Sequence, residues 1–152
     1  MRENGHIVET QSIIILTTYG GDCTSFISQC IYAGSGIMNN TKDTGWYYNN
    51  INSRSPSWSG VEFLYNFLTT NKGIGPFGKE VNIEEAEIGD ISQINFDGKV
   101  FGHSQIIVDK LGNNFSDILI ATHTYDSLNR ALSTYQNVQK IRFIHIEGVR
   151  IW

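Results

Sequence analysis

Residues 19–36 read YGGDCTSFISQCIYAGSG, and the order of elements along the chain follows from how this stretch is read. Phe26, Ile27, Cys30, Ile31 and Ala33 recur at three- and four-residue steps, the spacing of one helix face, so a helix is expected from Asp22 to Ala33. Asp22 suits the N-cap and Gly34 the C-terminal stop. Cys23 then falls in the first turn, where unpaired backbone N–H groups and the helix dipole favour an anion. A free thiol with a pKa of about 8.5 is only about 3% ionised at pH 7, whereas one shifted to about 6 is about 90% thiolate. Gly20 and Gly21 let the chain turn sharply and let a substrate carbonyl approach. Asp22 opposes a thiolate unless its charge is spent as a cap. The residues alone leave Cys23 open between a nucleophile and a cysteine buried in a capped helix. Cys30, two turns further in, reads as a packing residue.

Outward from this helix, SGIMNNTKDTGWYYNNINSRS is a polar, aromatic loop. A second helix is expected from the Ser55-Pro56-Ser57 start through WSGVEFLYNFLTTN, with GIGPFGKE after it as a turn-rich link. The pattern then changes to strands. EIGDISQINF is one, Asp97-Gly98 marks a hairpin turn, and HSQIIVDKL and DILIATHT are two more, joined through Gly112-Asn113-Asn114. YDSLNRALSTY reads as a loop with a helical turn, and KIRFIHIEGVRIW as a closing strand or strand pair. Helices first and a meandering antiparallel sheet after them give an α+β architecture.

The chain has 152 residues, 40% hydrophobic and 17% charged, with a net charge of −4. That describes one globular domain over residues 1–152, with 1–18 as a poorly defined N-terminal segment. The acidic balance and scattered basic residues exclude an ordinary nucleic-acid binder. The densest apolar run, SIIILTT, is far shorter than the roughly 20 residues of a membrane span, and no signal peptide is legible. Cys23 and Cys30 on one helix would sit about 10 Å apart, beyond disulfide reach.

With a turn centred on Asn113, His103 lies opposite His123, near enough for the two rings to hydrogen-bond. A register off by one brings Thr122 or Thr124 there instead. The residues alone leave both histidines open as surface groups at strand ends. His6 and His145 read as solvated or structural, and Arg130 as a surface residue that could also meet a substrate carboxylate.

GGDCTSFISQCIYAGSGIMN, WYY, SWSGVEFLYNFL, IGDISQINFDGKVFGHSQIIV and ATHTYDSLNRALSTY, in this order, resemble the putative amidase domain family, a branch of the papain-like NlpC/CHAP superfamily of cysteine peptidases and amidases. The resemblance spans about Tyr19 to His145. It implies a papain-like (NlpC/CHAP-like) fold, with N-terminal helices packed on an antiparallel sheet. It also implies a cysteine-dependent hydrolase that cleaves an amide bond through a thioester, without metal or other cofactor.

Position by position, the resemblance makes Cys23 the nucleophile, His103 the general base and acid, and His123 the third member that orients the imidazole. Asp126 and Asn129 are the alternatives for that third role. The oxyanion donor is expected from the backbone N–H of Cys23, with Tyr19 nearby. Tyr19, Gly21, Asp22, Trp46, Tyr47, Trp58 and Asp126 are the expected substrate contacts, the aromatic ones because flat faces suit peptide or sugar rings. Two of them, Trp58 and one tyrosine, read equally well as core. The implied substrate is bacterial cell-wall peptidoglycan, at a stem-peptide or muramoyl–peptide bond, or another peptide. The partners expected are substrate alone, with neither nucleic acid nor membrane, and the domain is expected to act as a monomer. It would be secreted or wall-associated as part of a longer exported chain. Two alternatives differ in class: a catalytically silent binding module of the same fold, and a zinc hydrolase using Cys23, His103 and His123.

Overall fold

The computed structural model describes residues 22–123 and 127–152. Its first element, α1 (Asp22–Ser35), is the expected helix, two residues longer at its end. A short hairpin follows, β1 (Tyr48–Asn50) with β2 (Ser53–Arg54). The second expected helix is split into α2 (Pro56–Ser59) and α3 (Val61–Thr70). The break lies at Gly60, whose backbone is extended (φ −105°, ψ 129°) and which ends one helix and caps the next.

Six strands make one antiparallel sheet: β3 (Gly75–Val81), β4 (Ile91–Asn95), β5 (His103–Lys110), β6 (Ile118–Thr122), β7 (Ser127–Ala131) and β8 (Lys140–Arg150). The spatial order is β3-β8-β4-β5-β6-β7, so four strands meander and the last returns between β4 and β3. Two of these strands differ from the sequence expectation. The turn-rich link GIGPFGKE is largely the edge strand β3, an edge being where a sheet tolerates a proline such as Pro76. At Gly78 the partner strand comes so close that an added Cβ would stand 2.1 Å from the carbonyl oxygen of His145. The other is β7, at the opposite edge, expected as loop because its alternation is broken: Asn129 has φ 57° and the register shifts beside it.

Strand alternation supplies two cores, one per face of the sheet. On one face Ile27 and Ile31 of α1, Trp46, Trp58, Leu64, Phe67 and Leu68 pack onto Ile91 and Ile144. On the other, Ile94, Ile107, Ile118, Ile120 and Phe143 are covered by Ala86 and Leu132. Adjacent residues such as Phe143 and Ile144 thus serve opposite cores. This α+β fold with the helices on one face carries the first turn of α1 to the start of β5.

Candidate active site

Cys23 is 7% exposed and is in no disulfide. Burial pushes its thiol pKa up. Against that stand a hydrogen bond from the His103 side chain, one from the backbone of Ser104, the Thr24 hydroxyl and the charge of His103. Together they win, and the thiol lies below its ordinary value. Three of these four influences come from β5 and one from the residue next to the cysteine.

A directed chain of hydrogen bonds reaches the sulfur from the sheet. Gln93 Oε1 accepts from Arg142 Nε at 2.8 Å and Nη2 at 2.6 Å, which fixes the other end of the amide as donor. Its Nε2 donates to Val61 O at 3.1 Å and to Ser104 Oγ at 3.2 Å. With its oxygen accepting, Ser104 has its proton available for Thr24 Oγ1 at 3.0 Å. Thr24 in turn has its own for Cys23 Sγ at 3.8 Å. Gln93, Ser104 and Thr24 are all fully buried, so the order of donation is not scrambled by solvent. Arg142 is held at 3.0 Å by Glu62 and lies over the rings of Tyr65 and Phe101 at 3.6 and 3.9 Å from their centroids.

His103 stands at the head of β5, paired with Ile94, so alternation gives it the face of the second core while Ser104 takes the α1 face. Its side chain is nonetheless within hydrogen-bond reach of the Cys23 thiol. The rings of Phe96 and Tyr135 stand edge-on to it, with centroids 5.8 and 6.2 Å away. Its Nδ1 is buried without a hydrogen bond of ordinary geometry, as are Gln105 Nε2 and the Tyr135 hydroxyl. Burial raises the pKa of that hydroxyl, Arg130 and Gln105 lower it, and the nearby Cys23 raises it again. Gln105 therefore faces Tyr135 closely without closing a bond, its Oε1 being held by Ser92 Oγ at 2.8 Å.

The expected pairing of His103 with His123 is corrected by one position. Ile106 lies opposite Ala121 and Ile107 opposite Ile120, a register that sets Ser104 level with His123. Next to the turn Lys110 lies opposite Ile118 and Asp109 opposite Leu119, so the hairpin centres on Asn114, and the bulge between Ile107 and Asp109 takes back one of the two positions of displacement. His123 is half-buried, with its ring 5.9 Å from Phe26 of α1. Thr124 and Asp126 lie outside the described residues, as do Tyr19, Gly20 and Gly21. Asn129 is exposed on β7, and Asp22 opens α1.

Among the expected aromatic contacts, Trp46 and Trp58 are core: 0% and 2% exposed, with ring centroids 4.8 Å apart. Trp46 Nε1 donates to Ser28 Oγ at 3.0 Å and the ring stacks on Phe67. The expectation that these two line a cleft is thereby corrected, since neither offers a face to a ligand. Tyr47 is half-buried. Arg130 lies with Cζ 3.8 Å over the Tyr135 ring and donates to Thr134 Oγ1 at 2.7 Å. Among the described residues no three His, Cys, Asp or Glu side chains, Cys23, His103 and His123 included, are gathered as a metal site.

Sequence reasoning missed Thr24, Ser104, Gln93, Gln105 and Tyr135. The first two were legible as the residues directly after the cysteine and the histidine, in GGDCT and GHS. The Gly-Asp of IGD proves structural. Asp90 is 3% exposed, accepts from the N–H groups of Glu87 and Ile146 at 2.8 and 3.0 Å, and pairs with His145 Nδ1 at 2.9 Å.

The family described as putative amidase domain matches residues 13–146. An uncharacterized protein of Bacillus subtilis (strain 168), YhbB, is 30% identical over 136 residues, covering 84% of this chain. The chain spans 43% of that relative's length. No solved structure matches the chain.

Proposed function

The chain belongs to the putative amidase domain family, and from that premise we propose that it hydrolyses an amide bond with Cys23 as nucleophile and His103 as general base and acid. The observation that carries this reading is the geometry of a buried cysteine in the first turn of α1, beside the His103 side chain, the Ser104 backbone and the Thr24 hydroxyl, which together hold its thiol below the ordinary pKa. A buried cysteine that only packs is pushed the other way.

The thiolate attacks the carbonyl carbon, and the oxyanion is met by the backbone N–H of Cys23. Collapse breaks the C–N bond while His103 gives its proton to the departing amine, leaving a thioester. Water then attacks the thioester with His103 as base, releasing the acid and restoring the thiol–imidazole pair. The third, orienting role is proposed for His123, which comes from the α1 face, with Asp126 and Asn129 as alternatives.

The papain-like resemblance supplies the substrate class: a stem-peptide or muramoyl–peptide amide of peptidoglycan. The enzyme would act as a monomer in a secreted or wall-associated setting. Purified sacculi digested with the protein and analysed by mass spectrometry test this. New amino groups between stem residues indicate an endopeptidase, and free lactyl groups a muramoyl amidase. Cys23→Ala should abolish release and Cys30→Ala should leave it largely intact. Equal loss from both, with unchanged circular dichroism, overturns the nucleophile.

A further inference from the structure

Gln93 of β4 lies directly opposite Arg142 of β8 on one side and directly opposite Ser104 of β5 on the other. Opposed residues share a face, so the three side chains form one row across three strands. Ile91 and Ile144, two places along β4 and β8, belong to the core under α1, which puts the row on that face. The start of α3 pins one end of the row: Val61 O accepts from Gln93 Nε2, and Glu62 holds Arg142 at 3.0 Å. Thr24 of α1 meets the other end at Ser104 Oγ.

Only one orientation of the Gln93 amide fits this row. Its oxygen takes both guanidinium bonds, and the reverse placing would set an NH2 group against them. Among the described residues Ser104 Oγ has two partners, the Gln93 NH2 group and Thr24 Oγ1. The amide NH2 can only donate, so the Ser104 proton goes to Thr24. Thr24 Oγ1, accepting there, turns its own proton toward Cys23 Sγ.

Resting on the reading of Cys23 as nucleophile, we infer that Gln93, fixed by Arg142, is a positioning residue that sets the direction in which the Ser104 and Thr24 hydroxyls donate, and so presents a donor and not a lone pair to the sulfur. A sulfur met by a donor is favoured as thiolate, and one met by a lone pair keeps its proton. The Thr24 hydroxyl accordingly acts on the thiol in the same sense as His103 and the Ser104 backbone. The ionisable groups at the sulfur are His103 and Tyr135, whose hydroxyl feels the Cys23 charge. Those at the far end of the row are Arg142, Glu62 and Tyr65.

Gln93→Glu reverses the order with little change of shape. A carboxylate only accepts, so Ser104 donates to it, Thr24 donates to Ser104, and Cys23 meets a lone pair. The rate of iodoacetamide alkylation of Cys23, followed against pH in the full chain carrying Cys30→Ala, reads this directly. At pH 6 Gln93→Glu should slow it about tenfold, the effect of one unit of thiol acidity. A double variant separates the row from the new charge acting through space. In a Thr24→Val background, where the row no longer reaches the sulfur, Gln93→Glu should change the rate by less than about twofold. Ser104→Ala interrupts the row without adding a charge. It should slow alkylation at pH 6 about fivefold, and no further when combined with Thr24→Val. That pair decides the matter if a carboxylate facing Val61 O prevents Gln93→Glu from folding. A Gln93→Glu effect of equal size in both backgrounds, or Ser104→Ala with a wild-type profile, overturns the positioning role and leaves the nucleophile standing. A wild-type Cys23 whose alkylation shows only a rise centred near 8.5 overturns the nucleophile, and the positioning role with it.

Discussion

Thr24 Oγ1 lies 3.0 Å from Ser104 Oγ, so the residue after the cysteine on α1 is bonded to the residue after the histidine on β5. This contact closes the helix–sheet interface at the point where sulfur and imidazole meet. It also orders the hydroxyl that faces the sulfur at 3.8 Å. Thr24→Val keeps the shape and removes the donor. The thiol pKa, read from the pH dependence of iodoacetamide alkylation, should rise, and turnover should fall roughly fivefold to tenfold, the scale of one buried hydrogen bond. Thr24→Ser should restore both. A Thr24→Val protein with unchanged alkylation profile removes Thr24 from thiol control.

The direction of the Cys23 shift sets a pH signature. A folded-state pKa below the unfolded one favours the thiolate, so alkylation should persist at pH 6, where an ordinary thiol is almost inert. The same shift stabilises the fold above the unfolded thiol pKa, and that increment is lost as pH falls through the folded value. The stability difference between wild type and Cys23→Ser should therefore grow from acid to alkaline pH and then level off. His103→Ala should abolish the low-pH alkylation shoulder. A single rise centred near 8.5 in the wild type speaks against the pair.

His123 separates orientation from activation. With its ring against Phe26 and its position level with Ser104, it approaches the site from the helix side. His123→Ala should lower turnover strongly, on the order of a hundredfold or more, while Cys23 remains alkylatable. Activity at the wild-type level passes the orienting role to Asp126 or Asn129, which single substitutions then distinguish.

Trp46→Ala tests the core assignment. Removing a fully buried indole that stacks on Phe67 and bonds Ser28 should cost about 3–5 kcal/mol, seen as a large fall in the denaturation midpoint. A raised KM with an unchanged midpoint returns Trp46 to the substrate cleft.

The sequence by itself determined the helix of the cysteine and the order of the main elements, while Cys23 and His103 as a reactive pair rest on the family resemblance. Local periodicity and end signals carry that information, because a helix start and an alternating strand are written within a few consecutive residues. It placed β4, β5 and β6 for the same reason.

Only the tertiary structure decided what depends on partners far apart in the chain. The β5–β6 hairpin centres on Asn114 and its register shifts again at a bulge between Ile107 and Asp109, and no residue in the turn announces either. The edge strand β3 exists because β8 returns beside it, its glycines and proline alone reading as a turn. Trp46 and Trp58 became core once α1 and α3 enclosed them, since an indole's sequence context does not say which side of it water will occupy. The chain from Arg142 through Gln93, Ser104 and Thr24 to the sulfur joins four elements, and its direction follows from which amide oxygen the guanidinium holds. Burial and donor order are properties of the assembled interface between helix and sheet, and they come into being only when that interface closes.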